Sequence, residues 1–265
     1  MTSARLSTLA HLRGDIERIE SQSEARLLPR AALGHAEADA ALQGGLALGA
    51  IHEVFADEGR QVAAATGFIA GLARRVSPRR PLLWVRQDFA ELESGALSLR
   101  GLGEFGLDPR LLVTVRAADL ESALRSAADA LACDALGCVV LEIWGEAKPF
   151  DLVASRKLTL AARGSGVTAL VLRVAATPTA STAETRWIVR AAHSPPAGRW
   201  QPAPWGAPRL DTELVRNRHG PNGRWIIEWN CDACVFHDAA DPQPVAAAIA
   251  DRPPAPPALA QRRAG

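Results

Sequence analysis

The sequence predicts an α/β fold with a mostly parallel sheet flanked by helices, an N-terminal helix and a C-terminal β-hairpin extension. Three observations predict it. Short, nearly continuous apolar runs recur from Ala41 onward, segments of helical length separate them, and the texture turns to a hairpin pattern after Thr185. Apolar runs with little alternation suit strands buried on both faces, which is the situation of parallel strands covered by helices on both sides. A chain of 265 residues with 48% hydrophobic content is ample for one such core.

Residues 1–40 are expected to be an amphipathic helix and linker. Leu6, Leu9, Leu12, Ile16 and Ile19 recur at helical spacing with Arg13, Asp15, Glu17 and Arg18 between them, a pattern that docks on its own domain or on a partner. The core is expected over residues 41–192. Its candidate strands are Ile51 to Phe55, Pro81 to Val85, Leu111 to Val115, Gly137 to Ile143 and Val167 to Val174. Its candidate helices are Val62 to Arg75, Ala118 to Ala132 and Phe150 to Arg163. Arg186 to Ala191 reads as a further strand. Residues 193–238 then hold a Pro/Trp-rich loop, Ser194 to Pro208, and a hairpin of Leu210 to Arg216 with Arg224 to Trp229 around His219-Gly220-Pro221-Asn222-Gly223. Residues 239–265 carry six of the eighteen prolines and are expected to be a disordered tail.

A net charge of +1 gives no global signal for nucleic acid or membrane, so any basic footprint must be local. No run approaches the roughly 20 apolar residues that span a bilayer, and the first residues lack a secretory signal pattern. A cytoplasmic protein is expected, with Cys133, Cys138, Cys231 and Cys234 reduced. Cys231-x-x-Cys234 with His237 invites a zinc reading, but a structural site wants four ligands and the second pair is missing.

The stretch from Gly44 to Phe55 is a glycine turn feeding an apolar strand, with a helix from Val62, and this is where a phosphate-binding loop belongs. The loop Ala56-Asp57-Glu58-Gly59-Arg60-Gln61-Val62-Ala63 fails the pattern G-x-x-x-x-G-K-[ST]. Ala56 and Gln61 stand at the two glycine positions, Val62 at the lysine and Ala63 at the hydroxyl. A loop so built lacks the point charge that reaches the β/γ-phosphates and the ligand that holds magnesium. Asp57 and Glu58 would repel phosphate besides. Glu142 ends the strand Val139-Val140-Leu141 where an ATPase carries its magnesium-organising acid. A sheet-edge carboxylate can equally bind loop amides, and with the loop ruined that reading is preferred. His52 and Glu53 read as a polar end of the sheet, with no nucleophile nearby for general-base work.

Between residues 185 and 229 seven arginines face three acids, with five tryptophans interleaved. The candidate contact residues are Arg186, Trp187, Arg190, Arg216, Arg218, Arg224, Trp225 and Trp229. Arginine neutralises phosphates and tryptophan stacks on bases, so the segment suits single-stranded DNA. The same residues are protein hot-spot types, and they also fill hairpin cores.

The run Gly44-Gly45-Leu46 through Gly49, Ile51, Glu53 and Phe55 resembles the entry to the nucleotide site of the RecA recombinase family. More of the chain is similar to one degenerate branch, the ImuA proteins of bacterial damage-induced mutagenesis cassettes. The matching pieces are Gly49-Ala50-Ile51-His52-Glu53-Val54, Leu82-Leu83-Trp84-Val85, Gly106-Leu107-Asp108-Pro109-Arg110-Leu111 and Ala154-Ser155-Arg156-Lys157-Leu158. They continue through Thr185-Arg186-Trp187 and Glu213-Leu214-Val215-Arg216 to Trp225-Ile226-Ile227-Glu228-Trp229. The resemblance covers roughly residues 5 to 230. It implies a RecA-like core acting as an accessory factor of SOS-induced, error-prone translesion synthesis. The partners it implies are ImuB, a Y-family-polymerase-like protein, an error-prone C-family polymerase and RecA itself. Val62 and Ala63 argue against ATP-driven function, so no catalytic residue, cofactor or metal is expected. The segment Ala175 to Glu184 is short where recombinases carry a DNA-binding loop, which argues against filament formation. Two alternatives stand beside this reading: a weak ATPase in which Arg60 replaces the lysine and Glu142 serves as the acid, and an SOS-induced division inhibitor.

Overall fold

The computed structural model of the chain describes residues 28–56, 58–195 and 206–239. The expected N-terminal amphipathic helix, the middle of the Pro/Trp-rich loop, Asp57 and the tail beyond Ala239 lie outside them. The first elements are small. Strand β1 (Arg30–Ala31) pairs antiparallel with β2 (Leu46–Ala47), and helix α1 (Ala36–Ala41) lies between them. His35 caps α1 by accepting from the Ala38 amide. The Gly44-Gly45 turn then returns the chain to β1. Both glycines have positive φ, and a Cβ on Gly45 would lie 2.2 Å from the Ala31 carbonyl oxygen, so only glycine fits this crossing.

The main sheet contains β3 (Ile51–Ala56), β4 (Leu82–Gln87), β5 (Leu112–Ala117), β6 (Cys138–Trp144), β7 (Thr168–Val174) and β8 (Thr185–Ala191). It continues with β9 (Arg209–Asn217), β10 (Gly223–Asn230) and β11 (Val235–Asp238), in the order β11-β10-β9-β8-β3-β7-β6-β4-β5. Pairing is parallel from β5 across to β8 and antiparallel from β8 to β11. The fold is therefore α/β with a mostly parallel sheet. The hairpin expected after residue 193 does not stand apart: β9, β10 and β11 extend the sheet that begins at β5.

The parallel strands inside the sheet bury both faces because helices cover both, whereas the edge strand β5 is largely exposed. On one side α2 (Val62–Val76) sets Phe68, Ile69 and Leu72 against Val54, Val140, Leu170 and Leu172, and Trp187, Trp229 and Phe236 complete that core. On the other, α5 (Leu120–Leu131) and α6 (Leu152–Ser165) set Ala127, Leu131, Leu158 and Ala162 against Val85, Val139, Leu141 and Val171. Residues one apart along β6 thus belong to opposite cores, as the two-residue period of a strand requires. Asp119 and Asp151 cap α5 and α6, and Gly166 ends α6 in the left-handed conformation. Two short helices, α3 (Asp88–Ser94) and α4 (Leu99–Glu104), lie between β4 and β5.

The amino-terminal elements and the last strands hold each other. The Phe236 amide donates to the Leu33 carbonyl, Asn217 Nδ2 to the Ala41 carbonyl at 2.9 Å, Trp225 Nε1 to Glu37 Oε2 at 3.0 Å, and Gln43 Nε2 to the His219 carbonyl. Among the described residues no helix is long and apolar enough to cross a membrane.

Candidate functional site

The degenerate loop sits at the carboxyl end of the central strand β3 and leads through a short 3₁₀ turn, Gly59–Gln61, into α2. In a phosphate-binding site the amides opening the helix converge on the anion. Here the first helical side chains are Val62 and Ala63, and neither offers a charge or a hydroxyl. Gln61 turns away from the helix it precedes. Its Oε1 accepts from the Ala191 amide at 2.8 Å, so the loop is tied to the end of β8. Arg60, the candidate stand-in for lysine, is 76% exposed and pairs with Glu58 at 2.6 Å.

Glu142 is buried, but its partner is an arginine rather than loop amides. Arg86, on the neighbouring strand β4, donates from Nε to Oε2 at 2.8 Å and from Nη2 to Oε1 at 3.0 Å. Trp84 Nε1 adds a third bond to Oε2 at 3.1 Å. The register that places Arg86 opposite Glu142 makes this two-pronged pair possible. The remaining donors of Arg86 reach the Gly95 carbonyl and Ser94 Oγ. The carboxylate and its arginine thus satisfy each other. Beside them a cavity of about 300 Å³ is lined by Val62, Thr66, Arg86, Leu97, Leu102 and Phe105. Arg86 is the one cation among these residues, and four of its five N–H donors are already engaged.

His52 and Glu53 do not form a polar end of the sheet; both are buried in β3. The His52 ring lies between the Ala47 carbonyl and Thr185 Oγ1, each at 2.8 Å, and burial lowers its pKa from 6.5 to about 4. Glu53 accepts from Arg186 Nε at 2.7 Å.

That ion pair begins a wider correction to the Arg/Trp segment. Arg186 also donates to the Thr179 carbonyl and Ser181 Oγ, and Arg216 donates to the Ser181 carbonyl, so both clamp the loop after β7. Arg190 pairs with Glu213 at 3.2 Å, Arg209 with Glu228 at 2.6 Å and Arg224 with Asp211 at 2.6 Å. The three acids of the segment are all engaged. Of the candidate arginines, Arg218 and Arg224 remain exposed. Trp187 and Trp229 are 1% and 0% exposed and pack in the α2 core, so neither ring is presented for stacking. Trp225 is half-buried beside His35 and Trp187. Arg199, Trp200 and Trp205 lie outside the described residues. Strand alternation carried part of this signal: Trp225, Ile227 and Trp229 share one face of β10, and only an inward face needs three such residues.

Cys231 and Cys234 bracket the turn between β10 and β11, where Cys234 Sγ lies 3.4 Å from the Cys231 carbonyl. His237 Nδ1 is engaged by the Asp238 carbonyl. Among the described residues no group of three or more His, Cys, Asp or Glu is arranged to hold a metal ion. No protein-family model and no curated protein matches the sequence.

Proposed function

We propose that the chain is a RecA-like fold that has given up nucleotide chemistry and serves as a non-catalytic accessory factor of damage-induced, error-prone translesion synthesis. Its partners in this reading are those of the ImuA proteins it resembles: an ImuB-like Y-family polymerase homologue, an error-prone C-family polymerase and RecA. It acts in the cytoplasm by binding. The carrying observation is the position where a phosphate would be held. Val62 and Ala63 open α2, Gln61 is diverted to β8, and Glu142 is neutralised by Arg86. Phosphoryl transfer depends on positioned cations and a free metal-binding acid, and these residues supply neither. The weak-ATPase alternative loses support from the same geometry, because Arg60 points to Glu58 in solvent. An adaptor without chemistry acts through differential binding alone.

Two experiments test the reading. Titration of the purified chain with ATP and magnesium is expected to give no saturable signal at micromolar concentrations. Saturation, or turnover abolished by Glu142→Gln, restores the enzyme reading. Deletion of the gene is expected to lower damage-induced mutagenesis while leaving homologous recombination intact; unchanged mutagenesis sinks the accessory role.

A further inference from the structure

On the α5/α6 side of the sheet, at the carboxyl end of β7, a buried arginine has no counter-ion among the described residues. Arg173 is 1% exposed, and among the described residues its Nε and Nη1 have no hydrogen-bond partner. Its guanidinium lies 5.4 Å from the ring centroids of both Phe55 and Phe150. Stacking on aromatic faces occupies the plane of a guanidinium and leaves its in-plane N–H donors for a ligand. The two acids that act on it through space are engaged elsewhere: Glu53 with Arg186, and Glu146 Oε1 with the amide and hydroxyl of Thr177. Burial accordingly pushes the Arg173 guanidinium below its ordinary value. Leaving buried donors unmade is costly, and the cost is greatest for a charged group.

Arg173 lines a cavity of about 490 Å³ together with Glu146, Lys148, Asp151 and Thr179. This is a volume that small ligands occupy. Lys148 stands exposed at its mouth, whereas Asp151 is committed to capping α6. The wall thus offers one buried cation and one exposed cation beside two acids. A doubly charged phosphate would meet repulsion from Glu146 and Asp151, while a flat, singly charged group fits the guanidinium edge. We propose that this cavity binds a carboxylate, held in the plane of the Arg173 guanidinium with Lys148 at the entrance. The site is separate from the lost nucleotide site, which lies on the α2 face, and does not depend on it.

The carboxylate belongs either to a free small molecule or to an acidic side chain of a peptide, and the probes distinguish these sources. The full chain, labelled with ¹⁵N at arginine, is titrated with acetate, with an amidated glutamate–glycine hexapeptide and with inorganic phosphate while the Arg173 Nε–H resonance is followed. A saturable shift with acetate assigns a free carboxylate, and a shift with the peptide alone assigns a peptide side chain. In either case Arg173→Met, which lacks the reporting resonance and is followed by titration calorimetry beside the parent, is expected to lower affinity by about tenfold or more, the range of hydrogen bonds to charged groups. Should Arg173→Met not fold, Lys148→Ala alters only the exposed rim and is expected to weaken the same binding. Phosphate binding tighter than both carboxylates overturns the proposal. So does the absence of a saturable shift with either carboxylate, or binding that persists unchanged in the variants.

Discussion

Arg86 and Arg173 occupy similar places in the fold and have opposite fates. Each is buried near the carboxyl end of a parallel strand, β4 for one and β7 for the other. Arg86 faces the α2 side and meets Glu142 through two hydrogen bonds. Arg173 faces the α5/α6 side and, among the described residues, meets two phenylalanine rings but no acceptor for its Nε or Nη1. The difference teaches how one sheet edge can be closed on one face and open on the other. Where the chain supplies its own counter-charge, the charges become a cross-link between strands. Where it supplies only aromatic faces, hydrogen-bonding capacity is left over.

The largest expected effect breaks the closed side. Arg86→Met leaves Glu142 buried without its cation and is expected to cost about 3–5 kcal/mol in urea unfolding. The double variant Arg86→Met/Glu142→Leu should recover most of that loss; if the single and double variants are equally unstable, charge pairing is not what the site contributes.

Another buried basic group, His52, tests the same principle through pH. Its folded pKa of about 4 lies below the ordinary 6.5, so the unfolded chain takes up a proton first as the pH falls. The contribution is complete above about 6.5 and is lost progressively toward about 4, at about 1.4 kcal/mol per pH unit and about 3 kcal/mol in total. Denaturation midpoints across this range should fall less steeply in His52→Gln than in the parent; parallel slopes would show that His52 is not the group responsible.

Smaller effects sharpen the contrast. Gln61→Ala removes the acceptor for the Ala191 amide and should cost about 1 kcal/mol by chemical denaturation, without creating nucleotide affinity. Arg173→Met should cost less than about 1 kcal/mol, because the lost cation–π contacts are offset by relief of an unpartnered buried charge. A loss by thermal or urea unfolding as large as that of Arg86→Met would mean that Arg173 is a structural group after all.

The parallel strands were legible because their apolar runs are nearly continuous, α2 because it is long, and α5 and α6 because they are long and open on capping aspartates. Strand β11 was not legible: four residues with Phe236 as the single buried apolar side chain carry no periodic signal. Helix α4 contains Gly101-Leu102-Gly103, where local composition disfavours a helix and tertiary contacts decide, and α3 is a short helix that Gly95 ends. The mismatch of this loop to a phosphate-binding pattern was plain at Val62 and Ala63, since the absence of a lysine needs no structure to be seen. The partner of Glu142 was not, because Arg86 is 56 residues away and only the β4/β6 register brings them together. For the same reason the arginines after residue 185 looked like a free basic surface. Their acids lie on neighbouring strands, and pairing across strands is invisible in a count of charges.

The clasp between α1 and the last strands also bears on how the chain is made. Asn217 and Ala41 are joined across 176 residues. The early segment therefore leaves the ribosome long before its partners exist. Phe68, Trp187 and their neighbours on the α2 face wait for Trp229 and Phe236 to cover them, so the nascent chain carries an open apolar surface until synthesis reaches β11. Contacts of such high order slow folding and make a chain cut short before β9 a target for chaperones and proteases rather than a smaller working domain.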